Sequence, residues 1–201
     1  MTIPILIDIP MPITTDRLIL RPPQSGDGAE LNAAILESWE ELHDWVPFAK
    51  VKPKLEESEE NVRRAQARFL LREDLRISIY DKETGEFAGS TGLHRIKWEI
   101  PSFEIGYWAR RSFAGRGYVT EAANAITRYA FEQLKAKRVE LRYSTKNDKS
   151  IAIAKRLGFD YEGCLRNEHL SPSGNELRDM FVYSRLNAEG LPTLNVNWPS
   201  K

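Results

Sequence analysis

A chain of 201 residues, 41% hydrophobic and 29% charged, is long enough to bury one globular core. Lysine plus arginine and aspartate plus glutamate both number 29, so the formal net charge is zero, which removes the bulk positive field of a nucleic-acid binder. One cysteine, Cys164, precludes an intrachain disulfide and fits a reducing compartment, and no apolar run approaches the roughly 18 residues of a membrane helix.

The opening "MTIPILIDIPMPI" is apolar, but Pro4, Asp8, Pro10 and Pro12 interrupt it and no basic flank precedes it. No signal peptide is expected, and the expected setting is cytoplasmic, with neither a membrane nor a nucleic-acid partner. "RLILRP" (17–22) alternates and predicts a first strand. In "SGDGAELNAAILESW", Ser25 or Asp27 is placed to cap a helix. "EELHDWVPFAKVKPK" is rich in aromatics, and Pro47 and Pro53 keep it from forming one long helix. "LEESEENVRRAQARFLLRED" (55–74) reads as an amphipathic helix, with acids early and arginines late as the helix dipole favours. Strand-like runs follow at 75–81, 87–98 and 102–109, and their short connections predict an antiparallel meander. Ala122, Ile126, Ala130 and Leu134 recur every four residues, predicting a helix over about 118–136. "RVELRYS" (138–144) places Val139, Leu141 and Tyr143 on one face. "NDKSIAIAKRLGF" predicts a short helix stopped at Gly158. "DYEGCLRNEHL" and "ELRDMFVYSRL" (176–186) predict strands around "SPSGN", with Cys164 buried in the first, and the tail 187–201 reads as extended and irregular. This succession predicts an α+β fold with a mixed sheet.

Between the third run of the meander and the long helix stands "RRSFAGRGYVTEA" (111–123). A glycine pair at a helix start lets backbone N–H groups converge where the helix dipole is positive, which suits an anion, above all a phosphate. A tight turn with positive φ is the plain alternative. A Walker loop is excluded by spacing. A dinucleotide loop is disfavoured, because Thr120 stands where a third glycine belongs and Glu140 falls in mid-strand.

The stretch "GYWARRSFAGRGYVTEA" resembles the acyl-CoA pyrophosphate loop of the GNAT N-acetyltransferase superfamily, in the branch of ribosomal-protein N-terminal acetyltransferases of RimJ/RimL type. "TDRLILRP", "EIGYW", "NDKSIAIAKRLGF" and "YEGCLR" extend the resemblance over about residues 14–186. It implies a GNAT fold: a mixed, mostly antiparallel sheet flanked by helices. A single domain over 1–201 is expected, with an arm at 1–13 and a tail at 187–201. The superfamily loop, Gln/Arg-x-x-Gly-x-Gly/Ala, falls on Ala114, Gly115, Arg116, Gly117, Tyr118 and Val119. Ala114 and Val119 depart from it, but main-chain donors survive both departures, while Val119 crowds the close approach. Arg116 and Arg111 are candidates for extra charge at the phosphates.

The resemblance further implies acetyl-CoA as co-substrate and direct attack of an amine on its thioester. Oxyanion donors are expected around Tyr107 and Trp108. Asn147 and Ser150 match an Asn-x-x-Ser that begins the later helix in this branch. Asn147 is a pantetheine contact, a helix cap or both, and Ser150 a hydrogen bond to the CoA sulfur or a helix-start residue. Candidate bases are Glu104 on the strand before the loop, and Glu168 or His169 after "YEGCLR"; an imidazole suits base work at neutral pH. No metal is expected, since His43, His94 and His169 lack ligand spacing. Trp39, Trp45 and Phe48 stand where the acceptor would be covered, or else pack the core. The expected partners are acetyl-CoA and an amine, on a ribosomal or other protein N-terminus, with a monomer or homodimer left open. A small-molecule amine acceptor, or a non-catalytic acyl-CoA sensor, remains the alternative.

Overall fold

Alternation sets the strands and four-residue spacing the helices. The computed structural model describes residues 3–200. Strands β1 (Ile13–Thr15) and β2 (Leu18–Arg21) pair antiparallel and bury Ile13, Leu18 and Leu20 completely. Helices α1 (Gly28–Glu37), α2 (Trp39–Leu42) and α3 (Leu55–Leu70) follow, the break between α2 and α3 holding Pro47 and Pro53. The meander is β3 (Leu75–Asp81), β4 (Phe87–Lys97) and β5 (Ser102–Ala109), antiparallel throughout. Then come α4 (Tyr118–Glu132), β6 (Arg138–Ser144), α5 (Asp148–Arg156), β7 (Asp160–Leu170), β8 (Leu177–Arg185) and a short β9 (Val196–Asn197).

All nine strands join one sheet in the order β7-β8-β6-β5-β4-β3-β2-β1-β9. Only β5 and β6 run parallel. The sheet is therefore mixed and mostly antiparallel, with helices on both faces, as the α+β reading expected. The two faces follow from strand alternation. Ile77 and Ile79 turn toward α4, beside Ala122, Ile126 and Tyr129. Tyr80 and Phe87 turn the other way, onto Leu31 and Ile35 of α1 and Val62 of α3. Among the described residues no helix is long and apolar enough to cross a membrane.

Four local expectations are corrected. Asp27 occupies the position before α1, but its carboxylate accepts from Gln24 N–H and clasps Arg21 instead of capping the helix. The free N–H groups of Gly26 and Gly28 are taken by Glu59 of α3, an acceptor no local pattern could reveal. Helix α4 stops at Glu132, short of 136, and Lys135 takes a positive φ of 58°. Cys164 is exposed, because β7 is an edge strand with few neighbours over it. The tail is not wholly irregular: Val196 and Asn197 pair with Thr15 and Thr14.

Candidate active site

The site begins where two strands part. β5 and β6 pair only through Ser102, Phe103 and Glu104 against Arg138, Val139 and Glu140. Yet β5 continues to Ala109 and β6 to Ser144. Beyond Glu104 the strands splay, and β5 from Ile105 onward has a ladder partner only on its β4 side. Backbone donors on the open side face a cleft.

At the end of β5 the chain turns through a 3₁₀ turn, Arg111–Phe113, into the glycine loop. Gly115 and Gly117 sit at φ 76° and 81°, a region in which a side chain costs backbone energy. The N–H groups of residues 115–120 find no acceptor among the described residues. Gly117 is the N-cap of α4, so the helix dipole adds to these donors. The end of α1 holds the loop in place: Glu37 pairs with Arg110 at 2.6 Å and accepts from Ser112 N–H, and Ser38 Oγ accepts from Arg111 N–H. Side chains within the loop are largely structural. Tyr118 donates to Asp81 at 2.5 Å, which pushes its phenol above the ordinary range. Arg116 lies over Phe113. Two arginines that local sequence did not mark frame the loop. Arg17 reaches Glu121 and donates to the Arg116 carbonyl, and Arg156 of α5 donates to Thr120 Oγ1.

On the α4/α5 face of the cleft, Tyr107 and Ser150 come together, the phenol donating to the Ser150 carbonyl at 3.4 Å. Burial pushes the Tyr107 phenol well above its ordinary value. Asn147 Oδ1 accepts from Ser150 N–H at 3.0 Å, so Asn147 caps α5. The Ser150 hydroxyl has no such duty and makes no hydrogen bond to a described residue.

On the opposite face lies a cavity of about 580 Å³ between α1, the 46–53 segment, α3 and the sheet. Its floor includes Arg76, Ser78, Ser90, His94, Gly106 and Trp108, and Phe48 closes over Trp108 with ring centroids 5.8 Å apart. Arg76, Gly92 and Gly106 stand in one row across β3, β4 and β5. The His94 ring covers both glycines: a Cβ on Gly92 would stand 2.8 Å from Nε2, and one on Gly106 3.2 Å from it. His94 Nδ1 lies 2.7 Å from Asp74 Oδ2. Arg76 donates to Asn61 and has no carboxylate within 4.0 Å among the described residues; burial pushes its guanidinium below the ordinary arginine value.

Of the candidate bases, Glu104 sits at the apex of the splay, opposite His94 in register. Its Oε2 is 3.2 Å from Arg95 Nε and 3.6 Å from Arg142 Nε, without hydrogen-bond geometry to either. Burial raises its carboxyl above the usual range, against the pull of those two arginines. Glu168 is exposed on β7, with Arg142 at 3.9 Å, so the structure brings Glu104 and Glu168 to one arginine. His169 faces Arg178 in the β7–β8 register and does not line the cavity. Trp39 stacks on His43, and Trp45 lies under Arg178, which also donates to the Asp44 carbonyl. That contact joins the 39–48 segment to the β7–β8 hairpin. Asp74, Arg76 and His94 were missed as site residues. For Arg76 and His94 the only local signal was alternation in "LRISIYD" and "FAGSTGLHRIKW", which puts Arg76 with Ser78 and Gly92 with His94 on single faces, and Asp74 lies outside both stretches.

Comparison with known proteins agrees with this geometry. Residues 17–160 match the family model described as an acetyltransferase (GNAT) domain. The chain is 34% identical over 114 residues to the uncharacterized N-acetyltransferase p20 of Bacillus licheniformis, covering 57% of this chain and 63% of that one. At this level of similarity it spans only 58% and 63% of its curated relatives' lengths. It is 26% identical over 145 residues to the ribosomal-protein-serine acetyltransferase of Escherichia coli (strain K12), covering 71% of this chain and 79% of that one. Its fold matches a solved structure of RimL, a ribosomal L7/L12 alpha-N-protein acetyltransferase in complex with coenzyme A, with TM-score 0.80 at 21% identity, over 87% of this chain and 96% of that one.

Proposed function

Since this chain belongs to the GNAT acetyltransferase domain family, we propose that it transfers an acetyl group from acetyl-CoA to a primary amine, the α-amine of a protein N-terminus. One observation carries the transfer reading. Where β5 and β6 part beyond Glu104, the donor-rich loop lies toward one face of the sheet and the cavity toward the other. Two substrates entering from opposite faces meet beside residues 106–108.

The residues divide the work accordingly. The N–H groups of 115–120 fit the CoA pyrophosphate, which needs many donors and no particular side chain. That is why Ala114 and Val119 can depart from the family pattern. The open edge of β5 around Tyr107 and Trp108 offers N–H groups to the oxyanion that forms when an amine attacks the thioester. The Ser150 hydroxyl, free because Asn147 caps α5, faces the leaving sulfur, and Asn147 borders the pantetheine path. Glu104 and Glu168, both beside Arg142, supply negative charge at the apex, and His169 lies one residue further along β7.

The α-amine reading rests on chemistry and on relatives. An α-amine titrates near ~7.7–8 and a lysine near ~10.4, so a mild base suffices only for the first. The names of two relatives, the ribosomal-protein-serine acetyltransferase and RimL, point the same way. The test offers peptides with a free α-amine beside the same peptides with a blocked α-amine and free lysines. Mass spectrometry should find acetyl at position one only. Acetyl found only on lysines or only on small amines overturns the reading.

A second reading has its own observation. Arg76 lacks a carboxylate partner, while the acids at the cavity are engaged: Asp27 on Arg21 and Glu57 on the Lys54 N–H. Such a cavity disfavours a polyamine and suits a small amine that also carries an acid group. An amino acid acetylated faster than any peptide would select it.

A further inference from the structure

We propose that His94, held by Asp74, is the general base that takes the proton from the acceptor ammonium. This rests on the acetyl-transfer reading.

The ring is aimed by three features. Asp74, just ahead of β3, accepts from Nδ1 at 2.7 Å. In the neutral ring that bond places the proton on Nδ1 and the lone pair on Nε2. Nε2 has no hydrogen-bond partner among the described residues and stands over Gly106, next to the strand residues that offer N–H groups to the oxyanion. The chain bulges immediately after His94, with Arg95 at φ 46°, which turns the following residues away and leaves the ring inside the cavity.

The glycine at 106, under the ring, supports the assignment independently. Neither Gly92 nor Gly106 has a positive φ, so neither is required by its backbone conformation. Both lie in strand interiors, where glycine is disfavoured. What they provide is room. A Cβ on Gly106 would press on the imidazole alone, at 3.1 Å, whereas one on Gly92 would meet both the ring at 2.8 Å and the Leu75 carbonyl oxygen at 2.9 Å. At Gly106, β5 lacks a side chain at the spot the histidine occupies.

The charged groups around the ring come from every neighbouring element. Asp74 lies before β3, Arg76 on β3 and Arg68 on α3, the last 3.9 Å from Asp74. Glu104 faces His94 from β5 and is itself held by Arg95 and Arg142. Asp74 and Glu104 are thus the anions near the ring, and Arg76 and Arg68 the cations.

In the reaction the ammonium gives one proton to Nε2, and Asp74 stabilises the imidazolium that results. The freed nitrogen lone pair attacks the thioester carbonyl carbon, the C–N bond forms and the C–S bond breaks. Of the three ammonium hydrogens, one stays in the amide, one passes through Nε2 to solvent and one ends on the CoA sulfur.

The experiment measures kcat/KM against pH, with acetyl-CoA affinity by calorimetry, for the wild type, His94→Gln, Asp74→Asn and Glu104→Gln. His94→Gln should lose on the order of 10²–10⁴-fold in kcat/KM, lose the acid limb of the profile and keep its acetyl-CoA affinity. Asp74→Asn should lose less and move the limb to lower pH, because an anion beside the ring is gone. A folded His94→Gln protein with an unchanged limb, or a limb lost only in Glu104→Gln, overturns the assignment. If His94→Gln does not fold, an unmoved limb in Asp74→Asn overturns it. A wild type that acetylates no amine overturns the transfer reading, and the base with it. One that is active, with variants that do not differ from it, overturns the base alone.

Discussion

At Gly117 and Ser150 a structural role and a proposed chemical one separate by experiment. Gly117 caps α4 at φ 81°, and a Cβ there would meet only Arg17 Nη2, at an ordinary 3.6 Å. Gly117→Val is therefore expected to fold, at a backbone cost of roughly 1–2 kcal/mol. Its branched side chain would stand among the unpartnered N–H groups, and acetyl-CoA affinity should fall by about 1–3 kcal/mol, the scale of lost buried hydrogen bonds. Calorimetry that finds unchanged affinity in the folded variant rejects the loop as the phosphate site. Ser150 and Asn147 separate in the opposite sense. Asn147→Ala removes the cap of α5 and should cost about 1 kcal/mol, a fall of some 2–4 °C in Tm. Ser150→Ala should leave Tm in place and lower turnover; a lower Tm with full turnover would make Ser150 a structural residue. The pattern Asn-x-x-Ser was legible in the sequence. Which of the two residues makes the cap was not, because either can serve at a helix start and only the Asn147 Oδ1 contact to Ser150 N–H decides.

Among the elements, the helices were the more legible and the edge strands the less. The spacing of Ala122, Ile126 and Ala130 foretold the buried face of α4, since a helix fixes its side-chain period internally. β7 alternates in the same way as an inner strand, yet it has a neighbour on one side only and leaves Cys164 exposed. What fastens this edge is a clasp. Arg138 of β6 forks onto Glu162 of β7 at 2.6 and 2.5 Å, and Ser184 of β8 donates to the same carboxylate. These bonds pull the Glu162 carboxyl from an ordinary 4.5 to about 2. A carboxyl depressed on folding contributes stability in full above its ordinary value, and loses that contribution as pH falls toward the folded one. The stability gap between wild type and Glu162→Gln should thus be largest near pH 7 and close between about pH 4.5 and 2. The gap should be modest and shrink with salt, because the Glu162 side chain is 41% exposed. Urea midpoints at pH 7 and pH 3 measure it, and a pH-independent gap rejects the clasp.

The molecule as a whole is closed by its two ends. Val196 and Asn197 extend the sheet beyond β1, Trp198 packs edge-on against Tyr129 of α4, and Asn124 and Arg128 hold the Pro192 carbonyl. Tyr129 in turn donates to the Pro10 carbonyl. Deleting residues 188–201 uncovers this side of α4 and removes the buried Leu191. It should cost at least about 2 kcal/mol, or roughly 4 °C or more in Tm; an unchanged melting curve would show the tail to be an ornament. Composition, period and loop spacing belong to the order of residues along the chain. From these the sequence by itself determined the α+β class, the order of the larger elements from β2 to β8, and the glycine loop at the start of α4, while the three-residue β1 and the four-residue α2 escaped it. The tertiary structure alone decided what meets across the sheet. Asp74, Arg76, His94 and Gly106 come from three strands and the turn before them, and their meeting depends on register. Register is settled by pairing between distant segments and by the bulge after His94, while each strand's own alternation fits more than one alignment. The cleft likewise exists because β5 and β6 stop pairing at Glu104, a property of two strands together that neither sequence carries alone.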